Sequence, residues 1–87
     1  MKNHNTVLQL KSYGRLHCKL KEQLDSRHLT RNYLAKAVNT RFEVIDKWYD
    51  DRVERIDADV AARICFVLDC KMEDLFVYVK ESNEKER

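Results

Sequence analysis

The stretch from Leu29 to Asp51, LTRNYLAKAVNTRFEVIDKWYDD, constrains this chain more than any other. A capped apolar helix is expected over Thr30 to Val38. A two-residue break follows at Asn39-Thr40, and a second helical pattern starts at Arg41. Two short helices joined by so tight a turn must cross at an angle, and one face of the second is left free. This is the arrangement with which a helix is laid into the major groove of a duplex.

The rest of the chain limits what else it could be. Eighty-seven residues support one domain with one small core. With no proline and one glycine, Gly14, nothing marks an internal linker. An enzyme is not expected: there is no Gly-rich phosphate loop and no Ser/His/Asp set, and Asp50-Asp51 stands without a partner base. No cofactor or small-molecule substrate is expected. Cys18, Cys65 and Cys70 are odd in number and fall on apolar positions, as reduced thiols acting as small hydrophobes do. Cys65 and Cys70 are too far apart, and His4, His17 and His28 too scattered, for a zinc site, so no metal is expected. No apolar run approaches the roughly 20 residues of a membrane span, and the first residues lack a secretory signal's apolar region. A cytoplasmic protein without membrane contact is the expectation.

The net charge of +2 hides an asymmetry. Residues 1–41 carry nine Lys/Arg against two Asp/Glu, whereas residues 42–87 carry eight against thirteen. A basic half beside an acidic half suits a protein that turns one side to a polyanion, although the same charges could simply solvate a small helical domain.

Periodicity predicts five helices. The first covers Gly14 or Arg15 to Ser26, with Leu16, Leu20 and Leu24 on one stripe. Thr30 caps the second, whose expected buried face is Tyr33, Leu34, Ala37 and Val38, with Ala35 small enough for close approach. Asn39 ends it in a left-handed conformation. The third runs from Arg41 to Tyr49 with Val44, Ile45 and Trp48 inward. Asp57 caps the fourth, with Val60, Ala61, Ile64, Cys65 and Leu68 as its core stripe. The fifth covers Met72 to Leu75, and Lys71 would cap it poorly enough to let that end fray. Thr6–Lys11 and Phe76–Val79 are β-prone and can pair antiparallel across the chain ends. The organisation expected is an N-terminal arm over 1–13, a domain over 14–80 with its motif at 30–49, and a charged, disordered tail over 81–87.

The residue order resembles the helix-turn-helix of the Cro/CI-like, or XRE, family. Leu29-Thr30-Arg31 looks like that family's leucine, N-cap and phosphate-facing polar residue, and Leu34-Ala35 like its Leu-Ala pair. Asn39 stands at its turn glycine, and Ile45 to Asp51 resembles the ending in which Asn-Gly closes the motif. Arg55-Ile56-Asp57 and Leu68 to Phe76 resemble the last two helices of its smaller members. The resemblance, from about Leu16 to Val79, implies an all-α, five-helix lambda-repressor-like DNA-binding domain, with or without a two-stranded ribbon at the chain ends.

Carried over position by position, that resemblance assigns base edges to Phe42, Glu43 and Lys47. Lys47 can donate to guanine O6 and N7, Glu43 can accept from cytosine N4, and Phe42 can lie on a thymine methyl. It assigns phosphates to Arg31 and Asn32 at the start of the second helix, to Arg41, and to Arg52 and Arg55 in the loop after the third. Each residue also has a plainer role open to it. Phe42 can cover the core, Glu43 and Lys47 can pair at i, i+4, Arg31 can pair with a nearby acid, and Arg52 and Arg55 can be loop charges.

Five acids share this region: Glu43, Asp46, Asp50, Asp51 and Glu54. Asp50-Asp51 replaces the family's Asn-Gly, so a carboxylate occupies the position where glycine would permit positive φ and close approach to phosphate. The expected function is a sequence-specific, double-stranded-DNA-binding transcriptional regulator, such as a repressor, with the helix over 41–49 in the major groove and weak, salt-sensitive binding to isolated sites. The alternative is a protein-interaction module of the same fold, bound to a partner regulator or toxin, with Phe42 and Tyr49 as anchors. Convergence of Arg31, Arg41, Lys47, Arg52 and Arg55 on one face favours DNA, and acids interrupting that face favour the alternative. Phe66, Val67, Phe76, Val77, Tyr78 and Val79 exceed what one small core hides, so a homodimer is also expected.

Overall fold

Four helix ends in this chain are built alike, and they set its shape. A computed structural model describes residues 13–80. The elements are β1 (Arg15–Cys18), α1 (Leu20–Ser26), α2 (Arg31–Ala37), α3 (Phe42–Tyr49), α4 (Ala58–Leu68), α5 (Met72–Leu75) and β2 (Phe76–Val79). After α1, α2, α3 and α4 one residue turns left-handed: His28, Asn39, Asp51 and Asp69, with φ of 58°, 55°, 61° and 54°. The next N–H then reaches back to a carbonyl five residues earlier. Leu29 bonds to Leu24 at 3.0 Å, Thr40 to Ala35 at 2.9 Å, Arg52 to Lys47 at 2.9 Å and Cys70 to Cys65 at 3.0 Å. This is the Schellman ending, which satisfies carbonyls that helix geometry strands. Glycine normally fills the left-handed place, and here His, Asn and Asp do so at a steric cost.

The starts are as local as the stops. The Thr30 hydroxyl accepts from the Tyr33 N–H at 3.0 Å, and the Asp57 carboxylate accepts from Asp59 and Val60 at 2.9 and 3.2 Å. At α5 the weak Lys71 cap is reinforced from within: Asp74 Oδ2 accepts from the Lys71 N–H at 2.8 Å. That reciprocal arm was not foreseen in the sequence.

The core gathers Leu20 and Leu24 from α1, Leu34, Ala35 and Val38 from the α2 region, and Ile45 and Trp48 from α3. Val60, Ala61, Ile64 and Leu68 of α4 join them with Leu75 and Cys18. Each large apolar side chain fully buried here is worth roughly 1.5–3 kcal/mol. Trp48 meets Phe76 edge-on, with ring centroids 5.3 Å apart. Two arginines from outside fix the helix ends. Arg63 of α4 donates to the Val38 and Asn39 carbonyls at 2.7 and 3.1 Å, covering the exit of α2. Arg27 donates to the Leu68 carbonyl at 3.0 Å.

β1 and β2 pair antiparallel, Arg15 with Val79 through Cys18 with Phe76. The expected strand over Phe76–Val79 is present, but its partner is Arg15–Cys18. The first helix therefore begins at Leu20, not at Gly14 or Arg15. Gly14 precedes the strand with φ of 86°, a conformation open to glycine. Leu16 is 51% exposed on the ribbon and is not part of a helical stripe. Tyr33, at 50% exposure, and Ala37 also lie outside the buried face expected of them, which consists of Leu34, Ala35 and Val38. The expected strand over Thr6–Lys11, the rest of the N-terminal arm through residue 12 and the tail over 81–87 lie outside the described residues.

Candidate nucleic-acid interface

Burying Ile45 and Trp48, with Val44 half-buried, fixes what α3 turns outward. Phe42, Glu43, Lys47 and Asp50 are exposed, and Asp46 and Tyr49 are half-buried at the edge of that face. The helix ends where expected. Arg41 is its N-cap residue in extended conformation, with no side-chain bond to the helix.

One margin of this face is a depression between the starts of α3 and α4. Arg41, Glu43, Lys47, Arg55 and Asp57 all line it. Lys47 and Arg55 also border the adjoining hollow with Glu54. The structure thus brings Arg41, Lys47 and Arg55 together with Glu43, as a face with cationic edges requires.

The other margin is built around Asp46. Arg31 Nη1 donates to its carboxylate at 2.8 Å, and Arg52 lies 3.6 Å away while also bridging Asp50 at 3.4 Å. The Arg31 guanidinium lies over the Tyr49 ring, 4.6 Å from its centroid, and 5.9 Å from that of Phe42. Tyr49 in turn donates its hydroxyl to Asp25 at 2.9 Å, and Asp25 is paired with Lys21 at 2.8 Å. Arg31 is therefore held against α3 by an acid and two rings. Its plainer role, as the partner of a nearby acid, is the one this pairing displays. Phe42, 39% exposed, neither enters the core nor stands clear of it. Asn32 is exposed beside Arg31 at the start of α2.

Asp51 is the residue the sequence reading placed least well. It does take the left-handed conformation that glycine would supply. Its carboxylate, however, turns back onto β1. It accepts from the Cys18 N–H at 2.7 Å and from Arg15 at 2.7 and 3.3 Å. His17 Nδ1, which must carry its proton to meet a carboxylate, lies 2.7 Å away. The Arg15 guanidinium, seconded by the Cys18 N–H and His17, holds the Asp51 carboxyl well below the usual carboxylate range. The five acids that crowd this region in sequence thus divide. Asp51 is neutralised by β1, Asp46 and Asp50 are paired with arginines, and only Glu43 and Glu54 have no cation within bonding distance among the described residues. No positional signal in the motif pointed to Arg15 and His17, because their partner lies more than 30 residues away.

Among the described residues no three His, Cys, Asp or Glu side chains cluster to hold a metal ion, and no helix is long and apolar enough to cross a membrane.

Comparison with known proteins agrees with this fold. A family model described as a Cro/C1-type HTH DNA-binding domain matches residues 19–81. A crystal structure of the transcriptional regulator VanUg superposes with a TM-score of 0.65 at 24% identity, covering 84% of this chain and 97% of that one. At that identity the likeness speaks for the fold. No curated protein matches the chain in sequence.

Proposed function

Because the chain belongs to the Cro/C1-type helix-turn-helix DNA-binding domain family, we propose that it is a sequence-specific transcriptional regulator that lays α3 in the major groove of double-stranded DNA. Phe42, Glu43 and Lys47 are the base-reading residues in this reading. Arg41 and Arg55 grip phosphate on one side of the groove, and Arg31, Asn32 and Arg52 on the other. The observation that carries it is the disposal of charge around α3. Asp51 is consumed by β1, while Arg41, Lys47 and Arg55 share one depression beside the helix. Phosphate contacts at both margins would hold the register, and the side chains between them would read sequence.

The partner expected on symmetry grounds is a second copy. Phe66, Val77, Tyr78 and Val79 remain exposed. A two-fold pair would present recognition helices about 34 Å apart, matching a palindrome in successive major grooves. Selection of bound DNA from a random pool tests the whole reading. An enriched palindrome with two half-sites one turn apart supports it, and a pool that stays random contradicts it.

One observation favours the interaction-module alternative. Arg31 and Arg52, two of the five cations assigned to phosphate or bases, are already bonded to Asp46. In that reading Phe42, Tyr49 and the clamped Arg31 form an anchor surface for a protein. A random pool that stays unenriched, together with a protein partner competing at Phe42, would support it.

A further inference from the structure

The last turn of α4 carries a pair of thiols whose chemistry the DNA reading does not use. Cys65 and Cys70 occupy the two ends of its Schellman motif, where an apolar pair normally packs, as Leu24 and Leu29 do after α1. The Cys70 N–H donates to the Cys65 carbonyl at 3.0 Å. With standard backbone dimensions, that bond alone keeps the two Cα atoms within about 7 Å of each other. A disulfide spans Cα separations of about 4.4–6.8 Å. The Cys65 thiol stands near enough to help raise the Cys70 thiol above its ordinary range. Both residues are half-buried, whereas Cys18 is buried. The turn between them is held by Asp69 in the left-handed conformation.

We propose that Cys65 and Cys70 form a redox-sensitive dithiol that closes to an intramolecular disulfide when the protein meets hydrogen peroxide. This inference does not depend on the DNA reading. One thiol gives up its proton and attacks the peroxide, breaking the O–O bond. That leaves a sulfenic acid and releases water. The second thiol attacks the sulfenic sulfur, the S–S bond forms and a second water leaves. Two thiols are oxidised, one peroxide is reduced, and two waters are produced. Burial, with Cys65 beside it, pushes the Cys70 thiol up to about 11. Arg27, bonded to Leu68 one turn away, is the cation that opposes this shift. Either thiol can make the first attack, and the other then resolves it. Closure pins the Asp69 turn and with it the start of α5.

Tryptic digestion offers a clean test, because cleavage after Arg63 and Lys71 leaves both cysteines on one peptide, ICFVLDCK. The reduced full chain is treated with stoichiometric hydrogen peroxide, quenched, denatured, alkylated and digested. The expected product is peptide 64–71 lighter by two hydrogens and carrying no alkyl group, which accepts two after reduction. The Cys18 peptide should be alkylated throughout. Cys18→Ser should leave the outcome unchanged. Cys70→Ser should divert Cys65 to higher oxides or to a disulfide between chains. The same treatment in urea should give a smaller yield of internal bond. Peptide 64–71 recovered with two alkyl groups, or with sulfinic acid in place of a disulfide, would overturn the proposal. So would an equal yield in urea, since proximity in the fold would then have no part in it.

Discussion

Arg31 and Asp46 face each other across the α2–α3 angle at 2.8 Å, with the guanidinium lying on Tyr49. This pair sits where the assigned phosphate contact and the assigned reading face meet. A phosphate that recruits Arg31 must do so in competition with Asp46. Asp46→Asn should therefore tighten binding to DNA of any sequence and increase the salt slope by about 1. Because the pair is partly exposed, stability should change by no more than about 1 kcal/mol. Fluorescence anisotropy titrations at several salt concentrations, with thermal melts alongside, measure both.

Asp51 should matter to the fold more than to the duplex. Asp51→Asn removes the charge that Arg15 and His17 meet and weakens the acceptor of the Cys18 N–H. The expected loss is about 1–3 kcal/mol at neutral pH. Because the folded-state carboxyl is held below its ordinary range, its contribution is fully present above the unfolded value of about 3.9 and is lost as pH falls through the folded one. Urea unfolding at pH 7, 4 and 3 should show the gap between wild type and Asp51→Asn closing as pH drops. A gap independent of pH would assign Asp51's role to shape alone.

The left-handed residues make a contrasting pair. His28 occupies its position with φ of 58°, and the described structure gives its side chain no hydrogen bond. His28→Gly should stabilise by about 0.5–1 kcal/mol, the steric relief exceeding glycine's entropic cost. Asp51→Gly relieves the same strain at φ of 61° but forfeits the carboxylate, so it should destabilise. Chemical denaturation of the two variants under identical conditions distinguishes them by the sign of the change.

Phe66 is 85% exposed on α4. Phe66→Glu should leave the monomer's stability within about 0.5 kcal/mol, as surface substitutions do. If this face joins two copies, the same change should shift sedimentation from dimer to monomer. A wild type already monomeric at high concentration would remove the dimer from the account.

Local chemistry made much of this fold legible. Thr30 and Asp57 are caps by hydroxyl and carboxylate, Asn39 is the left-handed stop, and Ile45 and Trp48 form the inward side of α3, all as the sequence implies. What misled was periodicity without its partner. Leu16, Leu20 and Leu24 fall at helical spacing, yet Leu16 sits opposite Tyr78 in a ribbon, and that pairing spans 62 positions. A local pattern cannot register a strand that arrives from the far end of the chain. Asp51 failed in reading for the same reason. Its left-handed backbone was legible from the missing glycine, but Arg15, His17 and Cys18, which receive its carboxylate, belong to that same misassigned segment. The exposed face of α3 could be deduced once Val44, Ile45 and Trp48 were turned inward. The pairing that engages Arg31 could not, because it depends on the angle between two helices.

The proposal that α3 reads sequence between two phosphate grips is tested most directly by comparing Lys47→Ala with Arg55→Ala on one selected site and its single-base variants. The account predicts that Arg55→Ala weakens all of these DNAs nearly equally and lowers the salt slope by about 1. Lys47→Ala should change the ranking among variants, by about 1–3 kcal/mol at one base pair. Identical uniform losses from both substitutions, or none from either, would contradict it.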